Sequence, residues 1–148
     1  MFENADKGRQ AEENYILESQ IGFILRLASQ RHTTIFQKLI PLGLTPTQYA
    51  ALVKLIQLGQ CSQNELGRQT AMDVATIKGV VDRLSRKGLV KNERDPNDKR
   101  RSLLTATDEA KSMTKQLHQA GTDITSLTLA PLSSSEKTSL LRIIKKMT

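Results

Sequence analysis

One cysteine, two histidines and no apolar run of membrane-spanning length are the first limits on this 148-residue chain. Cys61 alone makes no internal disulfide, which agrees with a reducing compartment. His32 and His118 are too few for a Cys/His metal cluster, no glycine-rich loop is present to cradle a phosphate, and nothing pairs a nucleophile with a base. An enzyme is therefore the weakest class of reading, and no catalytic residue, metal ligand or cofactor is expected. The stretch 1–14 is polar and acidic and lacks the apolar core of a signal peptide, so the sequence predicts a cytoplasmic protein without a membrane partner. No internal repeat or low-complexity tract occurs, and the serine run 133–135 reads as a helix cap.

What is abundant is positive charge. Lysines and arginines number 22 against 15 acidic residues, a formal charge of +7. Between Arg68 and Arg101 there are ten basic and five acidic residues, whereas residues 1–40 balance at five each. The excess is concentrated in one stretch, which favours a polyanionic partner over a merely soluble basic surface.

That stretch has the punctuation of a helix-turn-helix. Ser62-Gln-Asn-Glu65 has capping-box spacing and starts a helix, which polar Gln69-Thr70 and Ala71-Met72-Asp73 interrupt. Asp73 caps a second helix that runs to Lys87 and stops at Gly88. In it Val74, Ile77, Val80, Val81 and Leu84 recur at three- and four-residue spacing and predict a buried side. Ala75, Thr76, Lys78, Gly79, Asp82, Arg83 and Arg86 lie opposite. Small and hydrogen-bonding residues thus lead, and arginines follow, as a helix entering a major groove requires. Two strand candidates, Leu89–Arg94 and Arg101–Thr105, flank an Asp95-Pro96 turn and predict a hairpin projecting Lys99, Arg100 and Arg101.

Helices surround this module. Residues 1 to about 12 carry few apolar groups and read as a frayed arm. From there Leu17, Ile21, Ile24, Ala28, Ile35 and Leu39 trace a first helix that ends before Pro41 and Gly43. Thr45-Pro-Thr-Gln48 opens a second, whose Tyr49, Leu52, Val53, Ile56 and Leu58 are expected in the core, with Gly59 as its stop. Thr107 caps a further helix with Ala110, Met113, Leu117, Ala120, Ile124 and Leu127 along one seam. Ser133-Ser-Ser-Glu136 boxes the last, which carries Leu140, Leu141, Ile143, Ile144 and Met147. All four prolines fall at these borders. The apolar faces of the two ends need burial, against each other or a second subunit, and predict a two-fold homodimer.

The run Asp73-Val-Ala-Thr-Ile-Lys-Gly-Val-Val-Asp-Arg-Leu-Ser-Arg-Lys-Gly-Leu-Val90, followed by Arg94-Asp-Pro-Asn-Asp-Lys-Arg100 and Leu104-Thr-Ala-Thr107, resembles the MarR (multiple antibiotic resistance regulator) family. The likeness extends upstream to Leu44–Leu52 and downstream to Leu129–Ser133. It implies a mainly α, α+β winged helix-turn-helix fold, with residues 44–106 as the DNA-binding region and 13–41 with 107–148 as a helical dimerisation region. It further implies that the first, fifth and sixth helices form the dimer and that a wing arginine enters the minor groove.

From the residues, Thr76 and Lys78 are the expected base readers, with Val74 and Ala75 offering apolar contact to thymine methyls. Arg83 and Arg86 suit phosphates, as do Ser62 and Gln63 at a helix start, although capping alone accounts for Ser62. In the wing Lys99, Arg100 and Arg101 are the contacts, Arg100 foremost, with Asp98 as its orienting partner. Gly79 departs from the family, whose members often carry a larger polar residue there. On the first helix, the spacing of Arg26 and His32 resembles that of family members holding small aromatic acids. With Arg31 these residues form a candidate ligand site, against the plainer reading of His32 as structural. Cys61 reads as a packed cysteine. The functional expectation is a DNA-binding regulator, a repressor of a pseudo-palindromic operator released by a small aromatic carboxylate. The alternative is a winged-helix module that binds protein and no DNA.

Overall fold

The computed structural model describes residues 14–148, so the arm expected before them lies outside the described residues. The chain divides into two compact units with the boundary between Thr34 and Ile35. In the first, a single 3-10 turn at Leu17–Ser19 precedes helix α1, Ile21–Leu39. The helix therefore starts later than expected from its apolar stripe. Gln20 is extended (φ −79°, ψ 138°) and separates the turn from α1. Leu17, Ile21 and Ile24 are 47–61 % exposed.

The second unit opens with the last turn of α1, where the buried Phe36 ring meets Tyr49 edge-on at 5.9 Å between centroids. Helix α2, Pro46–Leu58, begins as expected. The Thr45 hydroxyl accepts from the Gln48 amide, the Gln48 side chain takes the Thr45 amide, and Pro46 occupies the first turn, where no N–H is required. Ala51, Leu52 and Leu55 are completely buried, each leucine contributing roughly 1.5–3 kcal/mol by leaving water. Leu58 is 42 % exposed and is not core, because it falls in the final turn beside Gly59.

A two-residue strand β1, Gln60–Cys61, leads into α3, Gln63–Gln69, and then α4, Val74–Arg86. Between α3 and α4 the chain turns tightly: Ala71 adopts φ +54° and the Met72 amide donates to the Gly67 carbonyl at 2.9 Å. Gly67 suits this close turn, since a Cβ would lie a tight 3.1 Å from the Met72 carbonyl oxygen and 3.2 Å from an Ile77 methyl. Ile77, Val80, Val81 and Leu84 of α4 are buried as expected, but Val74 is 70 % exposed. It stands in the first turn, clear of the core.

Strands β2, Val90–Arg94, and β3, Ser102–Ala106, pair antiparallel from Val90 opposite Ala106 to Arg94 opposite Ser102. β1 adds to the far edge of β3, giving the order β1-β3-β2. Leu89, Val90, Leu104 and Ala106 close the core beneath α2 and α4.

After Thr107 the expected single helix is two, α5 at Asp108–Ser112 and α6 at Thr114–Thr128. The hydroxyls of Ser112 and Thr114 bond carbonyls three residues back, and the Met113 amide bonds Ala110, tightening the chain at Met113. Leu117, Ala120 and Ile124 are buried along the predicted seam. Helix α7, Ser134–Ile144, opens with the Ser133 and Glu136 box made in both directions. Its Leu141 and Ile143 are about half exposed. None of the described helices is long and apolar enough to cross a membrane.

Candidate nucleic-acid interface

The second helix of the motif is built to be seen from outside. Asp73 fixes its start by accepting the Thr76 amide at 2.7 Å, and this bond holds the Asp73 carboxyl below the usual carboxylate range. Burial of Ile77, Val80, Val81 and Leu84 against α2 and α3 sets its roll, so Ala75, Thr76, Lys78, Arg83 and Arg86 all face out, with Val74 beside them. The Arg83 side chain folds back along the helix: a Cβ on Gly79 would meet its Nη1 at 3.5 Å.

The hairpin tip is shaped by its own aspartates. Asp95 donates its amide to the Arg101 carbonyl and accepts from the Asn97 amide, and the Asp98 carboxylate accepts from the Arg100 amide at 3.0 Å. Asp98 therefore orders the backbone of Arg100. Lys99, Arg100 and Arg101 are exposed.

Sequence spacing gives no hint that the wing base meets the start of α3. Ser62, Gln63, Asn64 and Arg68 face Arg100, Arg101 and Ser102 across an open, polar cleft of about 370 Å³. The Ser62 hydroxyl accepts the Glu65 amide at 3.2 Å, but the expected reciprocal bond is not made. Glu65 turns to Arg68 and Gln69 instead, and these hydrogen bonds, Gln69 first, lower its pKa. Arg68 and Asn64 are cleft residues that sequence reasoning passed over. The only signal for Arg68 was its place at the head of the basic run.

The ligand candidates lie in the first unit. Arg26 and Arg31 are exposed and His32 is half-buried. The Arg26 guanidinium sits 5.1 Å above the Phe23 ring, a cation–π contact one turn apart. Six helical residues separate Arg26 from His32 by about 240° and roughly 9 Å of rise, so the two do not converge on one point of the same face.

A second feature went unread in the sequence. In the second unit, Tyr49, Val53 and Gln57 of α2 and His118, Gly121, Thr122 and Thr125 of α6 line an open groove of about 590 Å³. The Tyr49 hydroxyl donates to the Leu117 carbonyl at 3.0 Å. It occupies the space a side chain at 121 would need. Cys61 is 9 % exposed; burial first, then the Glu65 carboxylate, pushes its thiol up and away from the reactive thiolate. No group of three or more His, Cys, Asp or Glu able to hold a metal ion occurs among the described residues.

The profile of the MarR family matches residues 44–102. The chain is 35% identical over 134 residues to the HTH-type transcriptional repressor NicR of Pseudomonas putida, covering 90% of this chain and 85% of NicR. Among solved structures it is similar to a probable transcriptional regulator of Pseudomonas aeruginosa, at 46% identity and a TM-score of 0.86, covering 90% of this chain and 100% of that one. It is also similar to BpsR of Bordetella bronchiseptica, at 34% identity and a TM-score of 0.82, covering 90% and 96%. The DNA binding of BpsR is regulated by 6-hydroxynicotinic acid.

Proposed function

This chain belongs to the MarR family of transcription regulators, and from that premise we propose that it represses transcription by clamping a pseudo-palindromic DNA duplex as a homodimer. The family is one of regulators rather than enzymes. Residues 44–106 are the DNA-binding region, and 13–41 with 107–148 the dimerisation region. Within the DNA-binding region α4 enters the major groove, with Thr76 and Lys78 at base edges and Val74 and Ala75 against thymine methyls. Arg83 and Arg86 meet phosphates. The wing, through Lys99, Arg100 and Arg101 with Asp98 shaping the tip, takes the adjoining minor groove.

The observation that carries this reading is the cleft in which Ser62, Gln63 and Arg68 face Arg100 and Arg101. Two arginines from the wing and donors from α3 converge where a backbone phosphate would pass beside an exposed α4. Fluorescence anisotropy with duplexes from the region upstream of the protein's own gene, over a salt series, tests it. Arg100→Ala is expected to weaken binding roughly tenfold. Unchanged affinity at every salt concentration removes the wing, and indifference of the wild type to every duplex favours the protein-binding alternative.

Likeness to a protein regulated by 6-hydroxynicotinic acid supports a second element of the proposal, release from DNA by a small aromatic acid. Arg26, Arg31 and His32 are its proposed contacts, flanking the acid from two directions rather than meeting at one point, the guanidinium pairing the carboxylate and the imidazole the ring hydroxyl. Release follows if the acid favours a spacing of the two α4 helices that fits DNA poorly. Calorimetry with 6-hydroxynicotinate is expected to show heat that Arg26→Ala abolishes. Equal heat from both proteins, or none, rules out this site.

A further inference from the structure

The C-terminal end of α4 is tied to the rest of the second unit from two sides. Lys87 is its capping residue (φ −77°, ψ −4°), and Gly88 follows at φ +73°. On one side, the Thr107 hydroxyl donates to the Gly88 carbonyl at 2.8 Å and the Thr107 amide to that of Leu89 at 3.0 Å. On the other, the Lys87 ammonium donates to the carbonyls of Leu42 at 2.9 Å and Gly43 at 3.3 Å, some 45 residues away. Leu42 and Gly43 are consecutive left-handed residues, at φ +64° and +60°. Such a pair is unusual for a chain containing leucine, and it leaves both carbonyls within reach of one cation.

Lys87 ends the basic series Arg83, Arg86, Lys87, and by position it reads as another phosphate ligand. Two of its three donors are instead spent on the turn that joins α1 to α2. Thr107, its counterpart, is the residue from which α5 starts. We infer that Lys87 is a positioning residue for DNA recognition, its bridge to Leu42 and Gly43 setting the pitch at which α4 is offered to the bases. The inference rests on the proposed DNA-reading function. Because Lys87 is exposed, its bonds stabilise the fold little, since water competes for them, but they remain directional. A displacement of the C-terminal end of α4 away from the turn between α1 and α2 lengthens the Lys87 bonds to Leu42 and Gly43. Removing the bridge therefore affects contacts that depend on pitch, which are those to base edges, and spares the sequence-independent attraction to phosphate.

The test compares wild type, Lys87→Met and Lys87→Arg on the upstream duplex that the wild type selects and on a random duplex of equal length, each over a salt series. Lys87→Met is expected to bind the selected duplex about fivefold more weakly, with its affinity for random duplex and both salt slopes as in wild type. Lys87→Arg, which keeps a donor cation, is expected to recover most of the loss. A parallel fall on both duplexes, with the salt slope reduced by about one, makes Lys87 a phosphate contact and overturns the inference. Unchanged binding to both also overturns it. A wild type that selects no duplex overturns the DNA-reading proposal itself, and this one with it, in a measurement that involves no variant.

Discussion

Gly121 and Gly79 both sit inside helices, yet replacing them has opposite consequences. A Cβ at 121 would fall 2.1 Å from the Tyr49 hydroxyl, itself held by the Leu117 carbonyl. Gly121→Ala is expected to destabilise the protein by about 1–3 kcal/mol through displacement of Tyr49, read as a lower urea midpoint. A Cβ at 79 meets only the Arg83 guanidinium at an ordinary 3.5 Å. Gly79→Ala is expected to stabilise by about 1 kcal/mol, the usual helical penalty of glycine, read as a higher midpoint. Its operator affinity decides why glycine is there: a loss assigns the bare backbone to close approach to the duplex, and no change assigns it nothing.

The helices start where capping side chains place them, and acid is expected to loosen two of those starts. Asp73 and Glu136 have carboxyls lowered chiefly by backbone amides, those of Thr76 and Ser133. A carboxyl whose folded pKa is depressed stabilises the fold above its unfolded value near 4 and loses that contribution as pH falls through the folded value. Thermal melts are expected to move to lower temperature between about pH 5 and pH 3. Asp73→Asn, which caps without a proton to take up, is expected to melt with a shallower dependence on pH; an identical slope detaches Asp73 from the effect. These caps are also why the elements were legible in sequence. Thr45, Ser62, Asp73, Thr107 and Ser133 each accept the third amide along, as their spacing predicts. What went unread lacked such a marker. β1 is too short for any periodicity, and the break at Met113 has neither proline nor glycine, while Ala110, Met113 and Leu117 keep the apolar seam running across it. The cleft joining Ser62 to Arg101 depends on the packing of a hairpin against α3, which one-dimensional spacing does not encode.

For the molecule as a whole, each terminal segment by itself exposes apolar side chains, Leu17, Ile21 and Ile24 at one end and Leu141, Ile143 and Met147 at the other. A second copy of the chain is their proposed cover, so thermal stability is expected to rise with protein concentration, as it does for any obligate dimer. Leu141→Glu, which costs the isolated chain little at a half-exposed position, is expected to sediment as a monomer and to lose operator affinity. A concentration-independent melt, or a Leu141→Glu dimer, removes this end from the interface.

The engagement of Glu65 with Arg68 has a kinetic meaning for such a molecule. A regulator scanning a genome is slowed by every cation that clings to any stretch of backbone, and here one of the cations beside the wing has a resident anion. Glu65→Gln is thereby expected to make a stickier protein, gaining on random duplex more than on its target. Selectivity, in that case, owes something to a carboxylate that never meets DNA.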